Sequence, residues 1–218
     1  MMKVKVEVVH DLVCSWCPIG RSNLKAALKI LDKKIDVEIK YLPFEINPDM
    51  SSAGETIEAH LMRRNNWTKE QFMHYRTDLV EVAKEAGLIY DYSKRTHYYN
   101  TAKAHRLVHF AQAFQKQGVV VDALTEQYFT QGVNLSEDKS LLDIATSVGL
   151  DQQQAERALS SVEAVGISGN IQHKYDRVRE FASGSVPAFI INGEELVRGA
   201  NSVKFFVQYF SQLAEASS

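Results

Sequence analysis

Valine alternates with charge along the start of the chain: Val4, Val6 and Val8 stand against Lys3, Lys5 and Glu7. A period of two predicts a strand over Lys3–Val9 with one buried face. The period then lengthens. Leu24, Leu28 and Leu31 recur at i, i+4 and i+7, which predicts a helix from Ser15 to Leu31. Ile35, Val37, Ile39 and Tyr41 alternate with charged residues and predict a second strand, Ile35–Leu42. Pro43 and Pro48 mark a loop after it.

From Gly54 to Val165 the pattern is almost wholly helical. Thr68 with Gln71 reads as a capping box, opening a helix that stops at Gly87. A second helix covers Asn100–Gln117, with Ala104, Leu107, Val108 and Ala111 on one stripe. Gly118 is the expected break, before a shorter helix to Thr130. Ser136 is the expected N-cap of the next helix, and Asp151 with Gln154 opens another. Tyr90, Tyr92, Tyr98 and Tyr99 read as a loop packed on these helices rather than as the lining of a groove.

The end of the chain returns to mixed character. A helix over Gly169–Ala182 stops at Gly184. Ala188–Ile191 and Glu195–Arg198 are strands around the hairpin signal Asn192-Gly193. Asn201 is the expected cap of a last helix bearing Val203, Phe206, Val207 and Phe210, and Ala214–Ser218 is the candidate for disorder. The opening β-α-β implies parallel pairing across a crossover, and the closing hairpin implies antiparallel pairing. The fold class is α/β with a helical block inserted between the two halves.

Composition narrows the function. With 45% hydrophobic and 24% charged residues the 218-residue chain is of the globular kind. A net charge of -2 supplies no global field for nucleic acid or an anionic membrane, so neither is expected as a partner. No apolar run approaches the ~18 residues of a membrane span, and Met1–His10 lacks the apolar core of a signal peptide. The expected location is the cytoplasm.

There are two cysteines, Cys14 and Cys17. Random placement would put them three apart about one time in a hundred, so the spacing asks for a reason. A disulfide across so small a loop constrains the unfolded chain little, and a reducing compartment disfavours a permanent one. Redox chemistry and metal binding remain. The pair stands where a strand becomes a helix, and the positive end of a helix dipole favours a thiolate. The spacing lets the second sulfur reach the first, so one cysteine can attack a disulfide and the other resolve the mixed disulfide. Cys14 is the expected exposed nucleophile and Cys17 the partly covered partner. Trp16, between them, is expected to flank a substrate.

A structural zinc needs four ligands, and there is no second cysteine pair to supply them. His105 and His109 lie at helical i, i+4 spacing, but Arg106 stands where a metalloprotease helix needs glutamate. No metal site is expected. Phosphate-loop, serine-elbow and kinase signatures are absent from the sequence.

This order of elements resembles the thioredoxin superfamily and, more narrowly, the FrnE-type branch of the DsbA-like family. The resemblance spans nearly the whole chain. Asp11 to Gly20 (DLVCSWCPIG), Pro43-Phe44-Glu45, Asn100 to Leu107 and Gly184-Ser185-Val186-Pro187 carry it. It implies a thioredoxin-like fold, a central mixed sheet flanked by helices, over 1–48 and 166–218, with an all-helical insertion over 49–165. It implies dithiol–disulfide exchange through Cys14 and Cys17, with no cofactor beyond that redox pair. Protein or small-molecule thiols and disulfides are the implied substrates, with glutathione or a thioredoxin-type reductant as electron donor. Val186–Pro187 is implied to be a cis peptide facing the cysteines, with the Val186 backbone pairing with substrate. Ser15 and Trp16 belong to that substrate site, as do Phe44 and His105. The chain departs from typical members in having Ser15 where they carry proline and Pro18 where they carry an aromatic, so a redox potential does not carry over.

Two other readings stay open. Kappa-class glutathione transferases and hydroxychromene carboxylate isomerases share the fold and the insertion, but typically carry serine in place of the first cysteine. A non-enzymatic metal- or peptide-binding module would need histidines near Cys14 in space.

Overall fold

The computed structural model describes residues 2–32, 34–160, 171–181 and 184–216. The chain opens with β1 (Met2–His10), α1 (Trp16–Ile30) and β2 (Ile35–Pro43). The middle holds β3 (Glu55–Thr56), α2 (Ile57–Asn65), α3 (Lys69–Glu85), β4 (His97–Tyr98) and α4 (Ala102–Phe110). A 3-10 turn (Ala111–Phe114), α5 (Gln117–Gln131), α6 (Asp138–Ser147) and α7 (Gln152–Ser160) follow. The end supplies α8 (Gln172–Phe181), β5 (Ala188–Ile191), β6 (Glu195–Arg198) and α9 (Val203–Ala216). These form two compact units: one from the residues up to Phe44 together with those from Gln172 onward, the other Glu45–Ile171.

The first unit holds a mixed four-stranded sheet in the order β2-β1-β5-β6. β1 runs parallel to β2 and antiparallel to β5, and β5 antiparallel to β6. The hairpin turns at Asn192 (φ 51°) and Gly193 (φ 85°), closed by Glu194 N–H donating to the Ile191 carbonyl at 3.1 Å. Positive φ at both positions suits Asn-Gly and matches the twist of the strands.

β1 departs from the expected single buried face. Every residue from Val6 to His10 is buried. A central strand has layers on both sides, so alternation cannot show in its burial. On one face Val178 of α8 packs with Val9, Leu42, Ala188 and Ile190. On the other, Phe189 meets Phe206 of α9 edge-on, with ring centroids 5.1 Å apart. Glu7 sits inside this packing, where Arg177 donates to its carboxylate from Nε at 2.9 Å and Nη2 at 2.6 Å.

The last helix is capped one residue later than expected. Ser202 Oγ accepts from Phe205 N–H at 3.2 Å, while Asn201 Nδ2 donates back to the Arg198 and Gly199 carbonyls. The helix also runs on to Ala216, into the segment expected to be disordered, because Phe206 and Phe210 anchor it in the core. Residues 169, 170 and 182 of the helix expected over Gly169–Ala182 lie outside the described residues, as do the boundary near Val165 and the last two serines.

The helical unit keeps the capping box of α3: Thr68 Oγ1 accepts from Gln71 N–H, and Gln71 Oε1 accepts from Thr68 N–H. Its helices differ from expectation in two places. The stripe after Asn100 breaks at Gln115 (φ 56°), not at Gly118, which lies in the first turn of α5. A non-glycine residue in the left-handed region leaves no compositional mark. Ser136 is not a cap; its hydroxyl donates within the loops, to the Ser52 carbonyl at 2.9 Å and Asn134 Oδ1 at 2.7 Å. The short antiparallel ribbon β3–β4 was not expected either, since two-residue strands carry no period.

Candidate active site

Cys14 stands in the turn that joins β1 to α1. Its N–H donates to the Asp11 carbonyl at 3.2 Å, and its own carbonyl accepts from Cys17 N–H at 3.2 Å. Ser15 flanks the helix start with helical φ and ψ and makes no side-chain cap, and the first turn holds no acidic residue. The positive end of α1 is therefore left to whatever charge develops on the neighbouring sulfur.

Both cysteines are free thiols and both are buried, Cys14 7% and Cys17 4% exposed. The expected contrast between an exposed and a covered sulfur is thus small. Cys14 owes part of its cover to the last third of the chain: its Sγ lies 3.7 Å from the Val186 carbonyl oxygen, 172 residues away. Burial pushes the Cys17 thiol well up from its ordinary value, and its hydrogen bond to Cys14 pushes the same way. The Asp11 backbone hydrogen bond pulls it down, and the Asp11 charge adds a smaller upward push.

The Val186–Pro187 peptide is cis. The Pro187 carbonyl accepts from Gly199 N–H at 2.8 Å, which ties this turn to the end of β6. Trp16, between the two cysteines in sequence, is 38% exposed, whereas Ser15 is buried. Phe44 packs on the same core cluster as Val186, at the end of β2 where its N–H donates to the His10 carbonyl at 3.0 Å. The structure therefore brings Cys14, Cys17, Ser15, Trp16, Val186 and Pro187 to one end of the sheet. Phe44 serves as packing in that unit. His105 belongs to α4 of the helical unit, where it is 1% exposed.

Two residues of this neighbourhood carried no role in the sequence reading. Asp11 is a buried carboxylate that acts on Cys17. Gly20 packs beneath the ring of Pro187. The available signal for Gly20 was a glycine inside a helical pattern, which usually has a packing reason.

Residues 5–211 match the family described as the DSBA-like thioredoxin domain. The chain belongs to that family. A relative of this DSBA-like chain is the uncharacterized protein YwbO of Bacillus subtilis (strain 168), 25% identical over 211 residues, 96% of this chain and 97% of YwbO. Among solved structures, a "probable DsbA oxidoreductase" from Streptomyces coelicolor superposes with a TM-score of 0.87 at 24% identity, over 99% of this chain and 91% of that one. The cytosolic disulfide reductase DsbM from Pseudomonas aeruginosa, solved with GSH, superposes with a TM-score of 0.66 at 15% identity, over 96% and 98%. Both likenesses establish the shared fold.

Among the described residues no helix is long and apolar enough to cross a membrane. Nor do any three of their His, Cys, Asp or Glu side chains cluster so as to hold a metal ion.

Proposed function

We propose that the chain is a thiol–disulfide oxidoreductase in which Cys14 is the nucleophile and Cys17 the resolving thiol. The observation that carries this reading is the meeting of Cys14 Sγ with the Val186 carbonyl at the N-terminus of α1, with Cys17 in hydrogen-bonding contact behind it. A substrate disulfide approaching Cys14 also meets the Val186 backbone, which can pair with an extended segment.

The Cys14 thiolate attacks one sulfur of the substrate disulfide. The substrate S–S bond breaks, the Cys14–substrate bond forms, and the leaving sulfur departs as a thiolate that takes up a proton. Cys17 stays protonated until then, because burial and its neighbour oppose the charged form. It then gives up its proton and attacks Cys14, releasing the second substrate thiol. The substrate gains two electrons and the Cys14–Cys17 pair becomes a disulfide. Two equivalents of glutathione, or one dithiol of thioredoxin type, would restore the pair.

Cytoplasmic work in the reducing or isomerising direction belongs to this reading, since a glutathione-poised compartment holds such a pair as dithiol. The FrnE-type pattern around the cysteines and the glutathione-bound neighbour DsbM support it. Ser15 and Trp16 are assigned to the rim of the substrate site.

Insulin-disulfide reduction with glutathione or dithiothreitol as donor tests the proposal. Wild type is expected to turn over and Cys14→Ser to be inactive. Cys17→Ser is expected to accumulate mixed disulfides, which Cys14→Ser does not. Equal trapping by both variants, or iodoacetamide labelling that favours Cys17, would overturn the assignment.

A further inference from the structure

Gly20 lies in the second turn of α1 and is buried. Glycine inside a helix costs about 1 kcal/mol relative to alanine, so local stability argues for alanine here. The surroundings argue against it. A Cβ on Gly20 would sit 3.0 Å from Pro187 Cγ, 3.1 Å from Ala200 Cα and 3.4 Å from Ala200 Cβ. Carbon atoms pack best at about 3.5–4.0 Å, so a methyl group would push on two segments at once.

Neither segment can move alone. Gly199 N–H holds the Pro187 carbonyl at 2.8 Å. Asn23, one turn further along α1, donates from Nδ2 to the Asn201 carbonyl at 3.0 Å. The Ala200 side of the contact is thus fastened to α1, whereas the Pro187 side adjoins Val186, whose carbonyl faces Cys14 Sγ at 3.7 Å. Pressure at Gly20 is transmitted to the gap between the sulfur and the Val186 backbone.

We infer that Gly20 is a positioning residue: the missing side chain lets α1 approach Pro187 closely enough to set the register between Cys14 and the Val186 backbone. The inference rests on the oxidoreductase reading above. It goes beyond that reading by naming the residue that sets the register, which an extended disulfide substrate, engaging the sulfur and the backbone together, must meet. A small disulfide needs the sulfur alone.

The test compares two disulfides on the full chain: an extended peptide disulfide, and the small aryl disulfide dithiobisnitrobenzoate. A displacement of a few tenths of an ångström in Gly20→Ala is expected to lower kcat/KM for the peptide about tenfold, mostly through KM, and to leave the aryl disulfide within about twofold. Adding Ala200→Gly removes only the 3.4 Å contact, an ordinary packing distance, and leaves the 3.0 Å and 3.1 Å ones, so the double variant should show the same loss on the peptide. Equal losses on both reagents, or no loss on either, overturn the inference. If neither Gly20→Ala nor the double variant folds, Gly20 is a requirement of the fold and the inference fails as well. Wild type no faster than Cys14→Ser would sink the oxidoreductase reading itself, so the two failures are told apart.

Discussion

Glu7 in the sheet unit and Arg95 in the helical unit are both sealed from water, at 4% and 0% exposure, and are accommodated by opposite means. Glu7 is met by charge. Arg177 grips its carboxylate with two donors, and Lys5 Nζ stands 3.4 Å away. Arg95 is met by rings. Its Cζ lies 4.4 Å from the centroid of Phe129, 4.9 Å from Tyr128, 5.1 Å from Tyr92 and 5.6 Å from Tyr98. The negative faces of aromatic rings attract a desolvated cation, by about 2 kcal/mol or more in a buried pair, and the long side chain fills volume as an apolar residue would. A strand in mid-sheet offers little room for several rings, so a helix-borne arginine neutralises its glutamate. A loop laid over helices can be lined with tyrosines, so the arginine becomes part of the core.

The comparison breaks first at Arg95. Arg95→Ala removes a large fully buried side chain and should cost about 3–5 kcal/mol in urea unfolding. Arg95→Met keeps most of the volume and should cost less than about 1.5 kcal/mol. Equal costs would mean that the rings hold the charge rather than the bulk.

Arg177→Met tests the other side. It leaves Glu7 buried with only Lys5 nearby and should cost about 2–3 kcal/mol, less than a fully sealed pair because Arg177 is partly exposed. Adding Glu7→Gln should recover most of that loss, since no uncompensated charge remains. Failure of the double variant to recover would show that the arginine acts through packing on Phe181, 4.6 Å from its Cζ.

Acid acts on the Glu7 region and not on the Arg95 region. Burial pushes the Glu7 carboxyl up, but the Arg177 hydrogen bond together with Lys5 outweighs it and holds the group below its ordinary value. A depressed carboxyl contributes stability that is complete above the unfolded value of about 4.3 and is lost as pH falls through the folded one. The stability difference between wild type and Glu7→Gln should therefore be constant from pH 7 to about 5 and shrink below about 4. Arg95 keeps its charge throughout. Arg95→Met should shift the urea midpoint equally at both ends of that range.

The smallest effect concerns Lys174 on α8. Burial, followed by the nearby Lys40, lowers its amine to about 8. The folded state then binds fewer protons than the unfolded one, so this group adds stability as pH rises from 8 toward about 10.4. Mass mapping after brief acylation at pH 8 should find Lys174 among the first lysines modified; wild-type protein that labels it last would remove the shift.

The ends of the chain were legible because their elements are periodic and their turns chemically marked. Val4, Val6 and Val8, the leucines of α1 and the Asn192-Gly193 turn each signal within a few residues. Spacing alone singles out Cys14 and Cys17, with redox chemistry and metal binding both compatible with it. Gln115 was not, since its left-handed conformation is imposed by neighbours and carries no glycine. Ser136 misled because a serine hydroxyl serves a loop as readily as a helix N-terminus. Tyr90 and Tyr98 are buried, as packing requires, whereas Tyr92 lines an open pocket; Arg95 at their centre carries no sequence signal that sets it apart from a surface arginine.

Local order in the sequence determined the strands, the helices and the Cys14–Cys17 spacing, because side-chain periodicity and turn chemistry act within a turn or two of the backbone. Tertiary structure alone decided which distant groups meet. The antiparallel register Val9↔Ala188 brings Val186 and Pro187 to Cys14, seats Pro187 over Gly20, and leaves Glu7 facing the helix that carries Arg177. Those meetings depend on strand order and register across some 170 residues. No local pattern encodes them, since the same alternating strand pairs equally well in several orders until the layers on both faces select one.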